Sequence, residues 1–328
     1  MIGRRALTHR DLTLTDLGFG GAALGNLATA TSPQDAHGAL STAWDGGIRY
    51  IDTAPHYGLG LSERRIGAWL AATRGVRQED PVLSTKVGRL LEPVPGSGHG
   101  PDEEGFAVEA THRRVRDYTG DGVRRSLEAS LERLGVDRVD VVLVHDPDDF
   151  WDEASTQAVP ALVRLRDQGV IGAVGVGMNQ AGMLTRFVRE SDVDVVMLAG
   201  RFTLLDTTGL GELLPEAGRR GIGVLAAGVF NSGVLALDDP SATAYFDYRP
   251  VSTQVLGRAR RLAAICREHG TTLPAAALHY VLRHPAVITA VLGMRSPAEV
   301  QQNLALHGVP PPPELWPALA AVGVPLLD

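Results

Sequence analysis

Residues 49 to 72 read RYIDTAPHYGLGLSERRIGAWLAA. RYIDTA is a short strand-like run, and SERRIGAWLAA puts Ile66, Trp69 and Leu70 three and four residues apart, on one face of a helix. Asp52 closes the strand and Tyr57 stands in the loop between a His and a Gly. A strand that feeds a helix through a short polar loop is one unit of an α/β fold, and the number of such units decides which fold it is.

The unit recurs eight times. The strand-like runs are LGFGGAALG (17–25), RYIDTA (49–54), PVLSTKVG (81–88), VDVVLVHD (139–146), IGAVGVGMN (171–179), VDVVMLAGR (193–201), IGVLAAGVF (222–230) and ITAVLGM (288–294). Continuous apolar strands alternating with helices imply a parallel sheet covered on its outer face. Helix boundaries are punctuated too: Ser32 with Pro33, Ser62 with Glu63, Asp121, and Ser296 with Pro297 mark starts, while Gly46, Gly47 and Gly135 mark ends. Eight units predict a (β/α)₈ TIM barrel occupying residues 1–328 as one domain, with functional groups at the C-terminal ends of the strands. GFGGAA (18–23) comes near the dinucleotide turn of a doubly wound sheet, but GNLATATSPQ follows it where that motif opens a helix at once, so the Rossmann reading is set aside. Two long segments, 89–120 after the third strand and 231–254 after the seventh, fall on the active-site face, and the tail PPPPELWPALAAVGVPLLD should carry one short helix.

Bulk properties narrow the function. The chain of 328 residues is 44% hydrophobic and 21% charged, an ordinary balance for a globular protein. A net charge of −7 disfavours nucleic acid, which needs a basic face. Cys266 is the single cysteine, so no intramolecular disulfide forms, and its helical setting marks it as a packed thiol. Asp11, Asp16 and several glycines interrupt the N-terminal small-residue stretch, which therefore reads as no signal peptide. No run reaches the roughly 18 apolar residues of a membrane helix, and the expected location is the cytoplasm. Oligomeric state is left open.

Asp52, Lys86 and His145 close strands two, three and four, and Tyr57 lies in the loop after strand two, so all four face one rim. Each alone has a plain structural reading as a turn cap, a rim aromatic or a loop-bonding His. A lysine inside VLSTKVG, however, needs a partner, and Asp52 on the next strand is the natural one. Together they read as a proton-transfer device: Lys86 lowers the pKa of the Tyr57 phenol, Asp52 holds Lys86, and His145 bonds the substrate oxygen. No metal-ligand spacing accompanies them. A site that handles a proton still needs a hydride carrier. LGMRSPAEVQQNL (292–304) suits an adenine dinucleotide, with Arg295 and a helix N-terminus offering positive potential and Gln302 and Asn303 offering bonds to adenine. Gly228, Ser232 and Gly233 in GVFNSGVL allow close approach to a pyrophosphate.

FGG, DTAPHYGLGLSERRIG, STKVGRLL, RLGVDRVDVVLVHDPD, GVGMN and GMRSPAEVQQN, in this order over residues 17–306, resemble the aldo-keto reductase family. The resemblance implies a (β/α)₈ barrel using NAD or NADP without metal, with Asp52, Tyr57, Lys86 and His145 catalytic, Asn179 on the nicotinamide amide, and Gly21 and Ala22 at the cofactor. Within the family, LAGRFTLLD, AAGVFNSGVL and VHDPD resemble the D-threo-aldose 1-dehydrogenase and L-fucose dehydrogenase group. That likeness implies oxidation of the anomeric C1 hydroxyl of an aldose such as L-fucose, D-arabinose or L-galactose to the lactone, with Tyr57 as base. Alternatives are a pyridoxal 4-dehydrogenase, a reductase of small aldehydes or ketones, and a cofactor-binding regulatory subunit. Met178, Ala199 and Ala227 depart from the family pattern, leaving Phe230 or Phe202 to stack on the nicotinamide. Glu299 replaces an arginine of many NADP-preferring members and so favours NAD, though Arg295 could compensate. His56, Tyr118 and Arg201 are candidate substrate contacts.

Overall fold

In the computed structural model, residues 2–96 and 100–327 are described, so residues 97–99 of the 89–120 segment lie outside the described residues. Eight parallel strands close into a barrel. They are β1 (Leu17–Gly20), β2 (Tyr50–Asp52), β3 (Val82–Val87), β4 (Val139–His145), β5 (Ile171–Met178), β6 (Val195–Ala199), β7 (Gly223–Ala227) and β8 (Val287–Gly293). Each falls within, or one residue beyond, the corresponding apolar run. The first run is the exception, because only Leu17–Gly20 is strand and Gly21–Gly25 turns into a 3-10 helix. Pairing of β8 with β1 through Ala290↔Leu17 and Gly293↔Gly20 shuts the ring.

Two apolar layers hold the barrel. Tyr50, Val141, Leu143, Val195, Met197 and Leu225 belong to one cluster, which Leu7 and Leu14 join from an N-terminal antiparallel ribbon, Arg4–Ala6 with Thr13–Thr15. The ribbon caps the strand N-termini, where Arg5 donates to the carbonyls of Leu282 and Val287. A larger cluster packs strand residues such as Val142, Val174 and Val196 against the helices. Cys266 is fully buried there, and burial pushes its thiol up to about 12.

The helices that matter for the site are α1 (Pro33–Asp45), α2 (Leu61–Ala72), α3 (Gly120–Leu134) and, after β8, α4 (Pro297–Gly308). Ser32 and Ser296 cap α1 and α4 as expected, accepting from Asp35 N and Glu299 N. Two expected caps are corrected. Helix α2 begins at Leu61 after Gly60 in a left-handed conformation, and the Ser62 hydroxyl instead donates to Gly21 O at 2.7 Å, tying the loop to the end of β1. Helix α3 is capped by Thr119, whose side chain accepts from Gly122 N, while Asp121 sits in its first turn. The tail carries the short helix Leu315–Ala320. Among the described residues no helix is long and apolar enough to cross a membrane.

The described residues of both long segments form short ribbons on the C-terminal rim. Arg89–Pro93 pairs antiparallel with His112–Arg116, and Phe106 between them bridges to Leu27 after β1. Tyr245–Phe246 pairs with Arg249–Pro250, leaving Asp247 and Tyr248 at the turn with φ of 52° and 61°. The loop that carries Tyr57 is pressed against the 3-10 turn. A Cβ on Gly25 would lie 2.5 Å from the Tyr57 carbonyl carbon, and one on Gly58, whose φ is +61°, would lie 2.1 Å from Gly25 O. Gly58→Ala is therefore expected to cost about 1–3 kcal/mol in urea unfolding through overpacking and to lower activity by moving Tyr57. An unchanged midpoint and rate would contradict this packing.

Candidate active site

The register of the barrel sets the site. Asp52 lies opposite Gly20 of β1 and Ser84 of β3, while Lys86 lies opposite Leu143 of β4. The Lys86 ammonium is almost wholly buried, and its three protons have three acceptors: Asp52 Oδ2 at 2.6 Å, Thr53 O at 3.0 Å and Tyr57 Oη at 3.1 Å. Asp52 is held in turn by Ser84 Oγ, which donates to Oδ1 at 2.7 Å, and Ser84 lies 2.7 Å from Tyr50 Oη. Because Lys86 donates to the Tyr57 oxygen, the phenol's own proton is left to point elsewhere.

Electrostatics corrects one expectation. Burial pushes the Tyr57 phenol up to about 12, and the opposing pull of Lys86 does not bring it below its ordinary value. In the free protein Tyr57 is therefore a neutral acid at pH 7. Burial alone would lower the Lys86 pKa, but Asp52 and Tyr57 outweigh it and raise the group above its ordinary value. His145, on the last residue of β4, is pushed well below the ordinary histidine value by burial and then by Arg89 and Lys86, so it is neutral. Its ring meets that of Tyr57 edge to face at 6.0 Å, its Nδ1 is buried without a partner, and its Nε2 lies 3.6 Å from Asp146 Oδ2. Nε2 thus keeps hydrogen-bonding capacity for a substrate oxygen, whereas Nδ1 is enclosed by the protein.

The three expected substrate contacts fare differently. His56 lies at the site, 5.6 Å from the His145 ring and 5.2 Å from Phe106, and burial followed by the charges of Arg89 and Arg114 lowers its pKa to about 2. Its Nδ1 faces Arg89 Nη1 at 3.3 Å, which leaves Nε2 as the free donor. Tyr118 is fully buried, and its hydroxyl donates to the carbonyls of His145 and Asp146 at 2.7 and 2.8 Å. It supports the end of β4 and does not reach a sugar hydroxyl. Arg201 is already paired with Asp247 at 2.9 Å and Asp206 at 3.6 Å, so it anchors the turn that carries Tyr248.

The expected cofactor residues lie along the same rim. Asn179 follows the last residue of β5 directly. Arg295 bonds the Leu27 carbonyl and the Thr29 hydroxyl, and its backbone N–H donates to Glu299 Oε2 at 2.9 Å. Gln302 is exposed and Asn303 buried on α4. A Cβ on Gly233 would meet nothing within 4 Å, Ser232 is exposed, and Asn231 Oδ1 is buried without a partner, so this loop has room and an unused acceptor for a ligand. Gly228 is explained by packing, since a Cβ there would lie 2.9 Å from Gly200 N. Gly21 likewise packs against Asp52 O and Ser62, while Ala22 is half-buried. Phe202 is buried against Tyr280, which removes it as a stacking ring and leaves Phe230, only partly buried. These groups fit a nicotinamide dinucleotide.

Sequence reasoning missed four residues here. Asp146 ion-pairs with Arg89 at 2.5 Å, Phe106 flanks His56 and Tyr57, and burial followed by the Asp146 carboxylate raises the Tyr248 phenol. The HDPD string held a signal for Asp146, whereas Phe106 and Tyr248 lie in segments without periodicity.

A barrel with a buried lysine joining a carboxylate to a phenol, beside a neutral histidine, is an arrangement chemically able to exchange one proton with a substrate oxygen. Residues 16–322 match the aldo/keto reductase family, and the chain belongs to it. It is an NAD(P)-dependent oxidoreductase. The chain is 44% identical to a D-threo-aldose 1-dehydrogenase of Pseudomonas sp, covering 94% of each chain, and 38% identical to a pyridoxal 4-dehydrogenase of Microbacterium luteolum, covering 98% and 97%. The structure of a glycerol dehydrogenase from Gluconobacter oxydans superposes with a TM-score of 0.78 at 23% identity, covering 99% of this chain and 97% of that one.

The ion pair yields a stability prediction. With the folded pKa of Lys86 raised, its contribution is full below the unfolded value of about 10.4 and is lost only as pH climbs through the higher folded value. Asp52→Asn leaves the ammonium buried and unpaired, which is expected to cost about 3–5 kcal/mol at pH 7. Burial then depresses the folded pKa, so the variant should gain stability between pH 7 and 10 while the wild type does not. Denaturant midpoints at the two pH values check the sign.

Proposed function

We propose that this enzyme oxidises the anomeric C1 hydroxyl of an aldose such as L-fucose, D-arabinose or L-galactose to the lactone. The observation that carries the reading is the Lys86 ammonium bonded at once to Asp52 and Tyr57, supported by the 44% identity to an aldose dehydrogenase along nearly the whole chain. His145 and Tyr57 bind the C1 oxygen and fix its orientation. Tyr57, as phenolate, takes the hydroxyl proton while the C1–O double bond forms. When bound, a nicotinamide dinucleotide would supply the acceptor for the hydride that C1 loses. Asn179, Ser232, Gly233, Arg295, Gln302 and Asn303 are the residues we assign to holding it. The whole chain works as one barrel domain in this reading, and we place it in the cytoplasm.

Because burial sets the free phenol near 12, oxidation is limited by the phenolate fraction. The rate of oxidation should rise with pH from 7 toward 10, and the reverse reduction should not. Lys86→Met removes the charge that opposes burial and should move the rising limb to higher pH. Tyr57→Phe should lower kcat by about 10²–10⁴-fold and leave dinucleotide binding, followed by fluorescence quenching, intact. Near-wild-type turnover in Tyr57→Phe would rule out the proton role.

Pyridoxal is the second candidate substrate, because the 38% identical relative acts on it by name and matches the chain almost end to end. A panel of L-fucose, D-arabinose, L-galactose, pyridoxal and simple aldehydes, each with both nicotinamides, separates the readings, and oxidation of pyridoxal alone would overturn ours. We infer a preference for NAD because Glu299 puts a carboxylate in the first turn of α4, where it would repel a 2′-phosphate. Glu299→Gln should therefore improve kcat/KM for NADP relative to NAD by about five- to tenfold, the scale of one partly exposed like-charge contact.

A further inference from the structure

Asp146 follows His145 directly, and its φ of 43° lies in the left-handed region that residues with side chains rarely adopt. The surroundings hold it there. Asp146 N donates to Gly177 O at 3.0 Å, and Tyr118 Oη donates to the carbonyls of both His145 and Asp146. Tyr118 fits beneath them only because Gly88 has no side chain, a Cβ there falling 2.3 Å from its ring. Such a locked, unusual backbone next to a catalytic histidine serves to aim a side chain.

The aimed group is the carboxylate. Its Oδ2 receives Arg89 Nη2 at 2.5 Å and stands 3.6 Å from His145 Nε2, so the carboxylate and the imidazole are immediate neighbours. Among the described residues Oδ1 accepts no hydrogen bond, and the side chain is 27% exposed. Arg89, only 11% exposed, supplies the counter-charge that a half-buried carboxylate needs. The site therefore holds, beside the group that orients the reacting oxygen, a charged acceptor with free lone pairs.

Resting on the aldose reading above, we propose that Asp146, fixed by Arg89, accepts a hydrogen bond from the hydroxyl on the carbon next to the reacting one and thereby selects polyhydroxylated substrates over simple aldehydes. A site built to bond a hydroxyl discriminates against analogues that lack it. The charged bond should be worth about 10- to 100-fold in kcat/KM.

The test is a cycle between enzyme and substrate. Asp146→Asn keeps the shape and the tolerance for this backbone while removing the charge. Wild type and variant are compared on L-fucose, on its 2-deoxy analogue and, in the reductive direction, on propanal. The expected result is that each single change costs about 10- to 100-fold on the sugar, that the two together cost little more than either, and that the variant loses far less on propanal than on L-fucose. Tyr118→Phe, which loosens the backbone of both His145 and Asp146, should raise KM for L-fucose more than KM for propanal. Additive losses, or equal losses on L-fucose and propanal, would overturn the clamp and leave the aldose reading standing. A wild type that oxidises no aldose would remove both.

Discussion

The buried contact between Lys86 and Asp52 is the constraint from which the rest of the site follows. A lysine ammonium inside a barrel is costly unless every proton is accepted, and here Asp52, Thr53 and Tyr57 accept them. Satisfying the charge fixes three things at once: the end of β2, the first residue after it, and the position of a phenol that belongs to a loop. Rigid strands thus place a group that a loop alone could not hold to a fraction of an ångström. The same closeness bears on the chemistry, since the ammonium opposes, without overcoming, the burial that keeps Tyr57 protonated at neutral pH.

Much of this was legible in the sequence. Eight apolar runs gave the strands because burial on both faces leaves a continuous hydrophobic signature, and the four polar residues at strand ends stood out against it. Ser32 and Ser296 were readable as caps because each is followed by Pro and then by an acid. Ser62 is followed by an acid but by no Pro, and a contact to Gly21, 41 positions away, claims its hydroxyl. Lys86 illustrates the other limit: its partner was readable from adjacent strands, but the balance between burial and charge on Tyr57 depends on how closely the rim encloses the phenol. Tyr118 was assigned to the substrate because it lies in a rim segment, and only Gly88, which opens a slot for its ring, reveals that it is structural.

The two rim segments share a design that no periodicity announces. Each is a short antiparallel ribbon tied back by ion pairs, Arg89 with Asp146 and Arg114 with Asp102 on one side, and Arg201 with Asp247 on the other. Their tips bring Phe106 beside Tyr57 and hold Tyr248 in electrostatic reach of it. The barrel strands carry Asp52, Lys86 and His145, and the ribbons wall the rim beside them.

Closure of the ring by β8 against β1, with the N-terminal ribbon locked beneath it, has a consequence for biosynthesis. Gly20, which flanks Asp52, finds its other strand neighbour in Gly293, more than two hundred residues later. A chain emerging from the ribosome must therefore carry one unpaired edge of β1 until β8 has been made, and contacts of such long range form late. The oxidoreductase can become active only after its last barrel strand has docked.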